Sequence, residues 1–314
     1  MTAYVARRFL GVIPVLALVA VTAFLLIHLV PGDPAVVMLG NEATAAQLQN
    51  LRVQLGLDRS LPEQFLLWLG QVLRGNMGDS FFLGRPVTQA LMERLPATLQ
   101  LAILSLVFSL VIGIPAGLIA AVRQNTWWDQ FVMATAIGGL SIPSFWLGLA
   151  MILIFSVQLG WLPSGGYASL WEDVGQGLRT LILPAASLGF MQAALIARMT
   201  RSSMLEVLRQ DYVRTATAKG LTHWYVILRH ALKNAMIPVV TTIGTAFGVL
   251  LGGAVVVEIV FTYPGLGRLV VLAVQRRDYP LVQGALLLTS VIYVAVNLAV
   301  DLLYCVFDPR IKYE

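Results

Sequence analysis

Six stretches of this sequence are apolar and long enough to cross a lipid bilayer, and they limit the fold more than any other feature. About 20 apolar residues are needed, because a helix gains 1.5 Å per residue and the hydrocarbon layer is ~30 Å thick. The stretches are residues 9–30, 96–122, 131–159, 180–197, 234–257 and 279–300. Unpaired backbone groups are too costly in lipid, so each stretch should be helical. The sequence predicts an all-α membrane protein with six transmembrane helices.

The composition agrees with this fold and removes other classes. Only 12% of the 314 residues are charged, against roughly 25% in a soluble domain. The one cysteine, Cys305, excludes a framework of disulfides within the chain. The net charge of +5 is modest, and in a membrane protein basic residues report orientation and lipid contact. We therefore expect membrane lipid, and no nucleic acid, as a partner.

The first apolar stretch follows Arg7 and Arg8, as a signal peptide would. Its 22 uncharged residues exceed the usual apolar core of about 7–15 residues, and no cleavage site of small residues follows. We interpret residues 1–30 as a cytoplasmic N-terminus and an uncleaved first span.

Lysine and arginine counts predict the orientation. With the N-terminus inside the cell, the internal segments hold twelve of these residues and the two short external loops hold four. The remaining five lie in segment 31–95, which is too long for the positive-inside rule to apply. Both termini, including the tail 308–314, are therefore predicted to be cytoplasmic.

The external segment 31–95 should contain short helices. Ser60 and Glu63 have the spacing of a capping box, and so do Thr44 and Gln47. Residues 75–84 read as a loop. The segment is either a structural cover over the bundle or a docking or gating surface, and the sequence does not decide between them.

No constellation for catalysis, metal binding or nucleotide binding is found. The sequence has no phosphate-binding loop, no H-E-x-x-H and no G-x-S-x-G elbow, and its histidines are His28, His223 and His230. Ionisable residues near the spans, His28, Glu258 and Asp301, all fall near span ends. This favours neither ion-coupled transport nor an intramembrane enzyme, since both need such groups inside the membrane. We predict no catalytic residue, no metal site and no cofactor bound by this chain.

The spans do contain glycine, proline and hydroxyl residues. Glycine recurs every fourth position in span five, which permits close helix packing; these residues are Gly244, Gly248 and Gly252. Kinks are expected at Gly113, Pro115 and Gly117 and around Pro143. The best candidates for lining a pathway are polar residues of spans three and five, together with one outer carboxylate: Ser141, Ser144, Thr241, Thr245 and Glu258. For Glu258, an outer gate competes with a structural pairing.

The loop between spans four and five is too long to be a simple connection. Residues 198–234 carry seven Lys and Arg against two acids. One short helix from Asp211 should end at Gly220, a natural residue after a helix C-cap. A second should start after the N-cap Thr222 and reach Ala235. Two helices separated by glycine would make residues 198–234 project as a bracket, and we keep that name for this loop. Such a shape is suited to contact with a protein partner.

At this loop the chain resembles a known family. Residues 214–220, Arg-Thr-Ala-Thr-Ala-Lys-Gly, resemble the signature loop of binding-protein-dependent ABC importer permeases, in the variant of the dipeptide, oligopeptide and nickel branch. Matching segments occur along nearly the whole chain, at residues 28–34, 55–58, 94–98, 141–146, 258–267, 277–280 and 308–310. Residues 75–80 depart from the family's usual Gly-Asp-Leu-Gly pattern.

The resemblance implies a type I ABC importer transmembrane domain, 96–307, in a bacterial or archaeal inner membrane. It implies a second homologous permease in a heterodimer, two ABC ATPase subunits or domains that bind ATP and Mg, and a periplasmic or lipid-anchored solute-binding protein. The loop would then couple to the ATPase through Asp211, Tyr212, Arg214, Thr215, Ala216, Lys219, Gly220, Leu221 and His223.

The cargo stays open at this point. Di- and oligopeptides are the default that the resemblance implies, while nickel, glutathione or another small solute are alternatives within the class. A stand-alone ion-coupled transporter is the alternative from a different class, and a membrane-embedded enzyme is a third. Neither of the last two has a supporting residue pattern.

Overall fold

A computed structural model describes residues 2–29, 34–40, 43–54 and 56–307 of the chain. The described chain divides into two compact units. The first contains the described residues up to Pro96 together with Gly265–Ala295, and the second contains Ala97–Pro264 and the described residues from Val296. Within the described residues, five helices are apolar and long enough to cross a membrane, and a sixth span results if one bent helix pair counts as a single crossing.

The first unit begins with α1, which covers Thr2–Leu29. Three short helices follow, as predicted for the segment before span two: α2 (Pro34–Leu39), α3 (Ala45–Gln54) and α4 (Leu61–Leu73). Both capping boxes are present, since the backbone N–H of Ser60 donates to Glu63 at 3.3 Å and that of Thr44 donates to Gln47 at 2.8 Å. These local contacts begin α4 and α3.

Residues 75–84 are more ordered than the predicted loop. They include a small antiparallel hairpin, in which β1 (Asp79–Ser80) pairs with β2 (Arg85–Pro86). The buried carboxylate of Asp278 supports the hairpin, because it accepts hydrogen bonds from the Ser80 hydroxyl at 2.5 Å and the Phe82 backbone N–H at 3.0 Å. A carboxylate 198 residues away along the chain therefore orders this turn, which is why local patterns did not predict it.

The second unit contains most of the bundle. Its helices are most of α5 (Val87–Val122), then α6 (Trp127–Ser141), α7 (Ser144–Met151), α8 (Val174–Leu208), α9 (Asp211–Ala218), α10 (His223–Tyr225) and α11 (Leu232–Val260). Its core is apolar, with Leu101, Leu181 and Leu250 buried in one cluster with the aromatic residues Phe261 and Tyr263. The first unit also holds α12 (Leu266–Gln275), while α13 (Tyr279–Phe307) contributes to both units.

The third predicted span is not one straight helix. Between α6 and α7 the helix axis turns by 105°, and α7 then continues as a π-helical segment, Ile152–Gln158. Ile142 has an extended backbone, with φ −89° and ψ 119°, because the residue before a proline avoids the helical region. The kink predicted at Pro143 is therefore a complete break.

In span two, α5 is helical through Pro115 without interruption, and the kinks expected there stay a prediction. Gly113 and Gly117 let α8 approach closely. A Cβ atom at Gly113 would lie 2.7 Å from the Ala193 carbonyl oxygen, and one at Gly117 would lie 2.3 Å from that of Ala197. These glycines are the close-packing positions of the second unit.

Several predicted boundaries also shift. Span two begins nine residues earlier than predicted, at Val87 instead of residue 96, and α12 was not predicted at all. Proline 184 lies inside the continuous α8, as the sequence allowed. The tail 308–314 and the segment 308–310 fall outside the described residues, and the cytoplasmic position of the termini stays a prediction.

Candidate functional site

The loop after span four contains the predicted first helix and its stop. Span four extends to Leu208, and α9 then covers Asp211–Ala218. Gly220 has φ +80°, a left-handed conformation that glycine adopts without the steric cost of a Cβ atom. Its backbone N–H donates to the Thr217 carbonyl at 3.0 Å, which closes the end of α9.

The predicted second helix is longer than expected. After Thr222 the chain is helical from His223 through Val260, so the loop passes into span five without the expected end near Ala235. The run includes a π-helical segment, Val226–Ala231. Thr222 does occupy the N-cap position, with φ −62° and ψ 144°, although its hydroxyl makes no capping hydrogen bond.

The burial of α9 separates its two faces. Val213 and Ala216 are buried against Val226, so Ala216, predicted to contact the ATPase, lies on the inward face and supports the helix. The other predicted coupling residues are exposed: Asp211, Tyr212, Arg214, Thr215, Lys219, Gly220, Leu221 and His223. The bracket thus presents one continuous set of candidate contact residues.

Large apolar side chains are also exposed on this bracket. Leu221, Trp224 and Leu228 are 39%, 59% and 52% exposed, and the cations Arg214 and Lys219 are exposed beside them in sequence. Exposed apolar residues grouped with charges are typical of a surface that contacts another protein. Sequence reasoning missed Trp224 and Leu228, which are the two ends of an uninterrupted apolar and aromatic run of five residues.

A bidentate ion pair joins α6 to α8. Arg201 Nε and Nη2 donate to the two carboxylate oxygens of Asp129 at 2.5 and 2.7 Å, and the Asn125 backbone N–H also donates to Asp129, at 3.0 Å. Asp129 is buried, whereas Arg201 is about a quarter exposed. The pair connects the start of the broken span to the helix that leads into the bracket.

Replacing Asp129 with alanine should lower the free energy of unfolding by about 2–4 kcal/mol, because it leaves Arg201 without its partner in a partly buried site. The thermal unfolding midpoint of the purified chain in detergent measures this. The double variant Asp129→Leu, Arg201→Met removes both charges and should lose less stability than Asp129→Ala alone. An equal or larger loss in the double variant would contradict this reading of the pair.

The predicted pathway residues differ in how far they are exposed. Ser141, Thr241 and Thr245 are exposed and Ser144 is half-buried. The hydroxyls of Ser141 and Thr245 donate to carbonyls of their own helices, at 3.2 and 3.0 Å. Their exposure fits a surface that faces solute, lipid or a second subunit, so their role in a pathway stays a prediction.

Glu258 is fully buried, and its carboxylate Oε1 accepts a hydrogen bond from the Thr98 hydroxyl at 2.6 Å. This contact agrees with a structural pairing, and a role of Glu258 in an outer gate stays a prediction. The nearby Tyr263 side chain is also buried, and this burial, with Tyr167 and Glu258 adding to it, raises the pKa of the phenol. The motifs 94–98 and 258–267 meet here.

The glycine repeat of span five is not packed uniformly within this chain. Gly244 is buried, Gly248 is half-buried, and Gly252 is exposed. A Cβ atom at Gly252 would meet no atom within 4 Å, whereas one at the neighbouring Gly253 would lie 3.1 Å from Leu188. Close packing inside the chain therefore involves Gly253 and the α5 and α8 glycines, and Gly252 is open to a neighbour.

No group of three or more His, Cys, Asp or Glu side chains is placed to hold a metal ion in the described part of the chain.

Two family models cover the chain. Residues 113–313 match the "Binding-protein-dependent transport system inner membrane component". Residues 1–102 match the N-terminal model of the corresponding transport system membrane component. The coverage includes the bracket, the ion pair and the close-packed glycines.

Curated relatives match over the full length. The chain is 45% identical over 314 residues, all of both chains, to a putative peptide transport system permease protein of Brucella abortus. It is 47% identical over 311 residues, 99% of both chains, to the glutathione transport system permease protein GsiC of Escherichia coli.

The fold also has a solved counterpart. An inward-facing structure of the MetNI methionine ABC transporter aligns with a TM-score of 0.58 at 23% identity, covering 70% of this chain and 97% of that chain. The likeness supports a type I ABC importer fold. The chain belongs to the family of binding-protein-dependent transport system inner membrane components, the permease subunits of ABC importers.

Proposed function

We propose that this chain forms half of the translocation pathway of an ATP-driven importer of small peptides in a bacterial or archaeal inner membrane. As a member of the permease family it is a transport component and not an enzyme. In the proposal, a second, homologous permease supplies the other half of the pathway. ATP and Mg act on separate ATPase subunits, and a periplasmic or lipid-anchored solute-binding protein delivers the cargo.

The bracket carries the coupling part of this proposal. α9 is held to the body of the chain by its buried face, Val213 and Ala216, and on its exposed face Arg214 forms an ion pair with Asp211 at 3.6 Å. A helix that is packed on one face and lies between two spans suits the transfer of movement between subunits. We propose that residues 211–223 contact an ATPase, as the family resemblance implies.

The peptide cargo rests on the relatives. Full-length similarity to a chain named a peptide transport permease and to one named a glutathione transport permease supports peptides, including the tripeptide glutathione. The segment 31–95 includes the helices α2, α3 and α4 and the hairpin, and we propose that it forms a folded cover on the external side.

Reconstitution of the assembly in lipid vesicles tests this function. Vesicles with this chain, its partner permease, the ATPases and the binding protein should take up labelled glutathione or a dipeptide only when ATP reaches the ATPase side. Omitting the binding protein should reduce uptake to background. Uptake by this chain alone, driven by an ion gradient, would contradict the proposal and favour the stand-alone transporter.

A further inference from the structure

The helix α9 lies beside the π-helical segment Val226–Ala231 and contacts both its first residue and the helix beyond its end. At the start of the segment, Val226 packs with Val213 and Ala216 of α9. Beyond its end, Asn234 Nδ2 donates to the Tyr212 hydroxyl oxygen at 2.8 Å. The two contacts place α9 across the whole π-helical segment.

The bridged segment has a wider backbone turn than an α-helix. The Leu232 backbone N–H donates to the Ile227 carbonyl, five residues back instead of four. Such turns are rare, and they occur frequently at functional positions. This wide turn lies where the bracket passes into α11. Bending at the turn would absorb part of a movement of the bracket before it reached α11.

The π-helical segment also packs against apolar side chains of the bundle. Ile227 and Ala231 are buried in a cluster with Ala121 and Met204, from the ends of α5 and α8. Val207 and Leu208 at the end of α8 pack against this cluster and also against Val213 and Ala216 of α9. The Tyr212–Asn234 hydrogen bond adds a polar link between α9 and the first turn of α11.

We infer that α9 stiffens the π-helical segment. Tyr212 and Asn234 are positioning residues, because their hydrogen bond makes α9 and α11 move as one piece. The inference rests on the proposed function, in which α9 contacts the ATPase. Without the hydrogen bond, a displacement of α9 would bend the helix at residues 226–231 and reach α11 only in part.

The Tyr212→Phe variant removes one oxygen atom and keeps the packing. A net hydrogen bond contributes about 0.5–1.5 kcal/mol, and Tyr212 is 42% exposed, so water competes for it. We therefore expect the number of ATP molecules hydrolysed per solute imported to rise about two- to fivefold. Asn234→Ala removes this bond and also the one that Asn234 Nδ2 donates to the His230 carbonyl at 3.3 Å, so its effect should be at least as large. The double variant should be no worse than Asn234→Ala alone, because Tyr212→Phe then has no further bond to remove.

The readout separates a positioning role from a merely structural one. Each variant is compared with the unchanged assembly for the ratio of ATP hydrolysed to solute imported, and for the yield and thermal midpoint of the assembly. Tyr293→Phe, which removes the same atom from a 50% exposed tyrosine of α13, is the matched control and should leave the ratio unchanged. An unchanged ratio in Tyr212→Phe, or additive effects in the double variant, overturns the inference.

Failure of the proposed function gives a different result. If the unchanged assembly shows no solute-stimulated ATP hydrolysis, coupling itself is absent and the proposed function fails. If stimulation is normal and Tyr212→Phe has the same ratio of ATP hydrolysed to solute imported as the unchanged assembly, only the stiffening role of α9 is wrong.

Discussion

Replacing Gly220 with valine is expected to reduce ATP-driven uptake by at least about tenfold while the chain still inserts in the membrane. The residue after α9 has φ +80°, and a β-branched residue there is a strained outlier. Holding a non-glycine residue in this conformation costs about 1–3 kcal/mol, and 1.4 kcal/mol is a factor of ten in an equilibrium. The bracket would relax to another loop geometry and lose its fit to the ATPase.

Gly220→Asn is the matched control, because asparagine adopts the left-handed conformation more readily than other residues. A Cβ atom at this position would meet no atom within 4 Å, so the two variants differ in backbone preference and not in a clash with the chain. Uptake should be largely retained in Gly220→Asn. Equal uptake in both variants would mean that the loop geometry does not matter for coupling.

Replacing Gly117 with alanine should have a large effect on stability. The added Cβ atom would lie 2.3 Å from the Ala197 carbonyl oxygen and 2.7 Å from Thr200 Cβ. Backbone atoms of a packed helix cannot move aside as a flexible side chain does, so α5 and α8 must separate. We expect a loss of about 3 kcal/mol in the free energy of unfolding, seen as a lower thermal midpoint and a lower yield of the monodisperse purified protein.

Gly138→Ala provides the comparison within the same bundle. Gly138 lies in α6, and a Cβ atom there would meet nothing within 4 Å. Alanine is the better helix former by about 1 kcal/mol, so this variant should match or exceed the parent in stability. A similar loss at both positions would show that glycine flexibility, and not close packing, explains Gly117.

Local sequence patterns predicted the parts of the fold that local physics determines. Long apolar runs located the membrane helices, and the capping residues located α3, α4 and the end of α9 at Gly220. The family resemblance then predicted the class that the comparisons confirm. Each of these signals lies within a few residues of the feature that it predicts.

Features that depend on distant contacts were missed or misassigned. Asp278 orders the hairpin at Ser80 from 198 residues away, and Arg201 pairs with Asp129 across 72 residues. The close approach of α8 to Gly117 was missed, because a single sequence does not reveal which helix packs against this position.

In the candidate site, too, local patterns predict some features, while other features depend on contacts between separate helices. The exposed residues of α9 follow from its helical periodicity. The inward position of Ala216 and the bond between Tyr212 and Asn234 depend on how the next helix continues into span five.

Cross-linking from the bracket tests the central claim most directly. A chain with Cys305→Ser, to remove its one cysteine, would carry Lys219→Cys on the bracket or, as the control, Trp171→Cys in the exposed loop before α8, which we predict to be external. We predict that Lys219→Cys, joined to a short bifunctional reagent in the assembled transporter, cross-links to the ATPase subunit, whereas Trp171→Cys does not. No cross-link from Lys219→Cys in an assembly that imports solute would contradict the account.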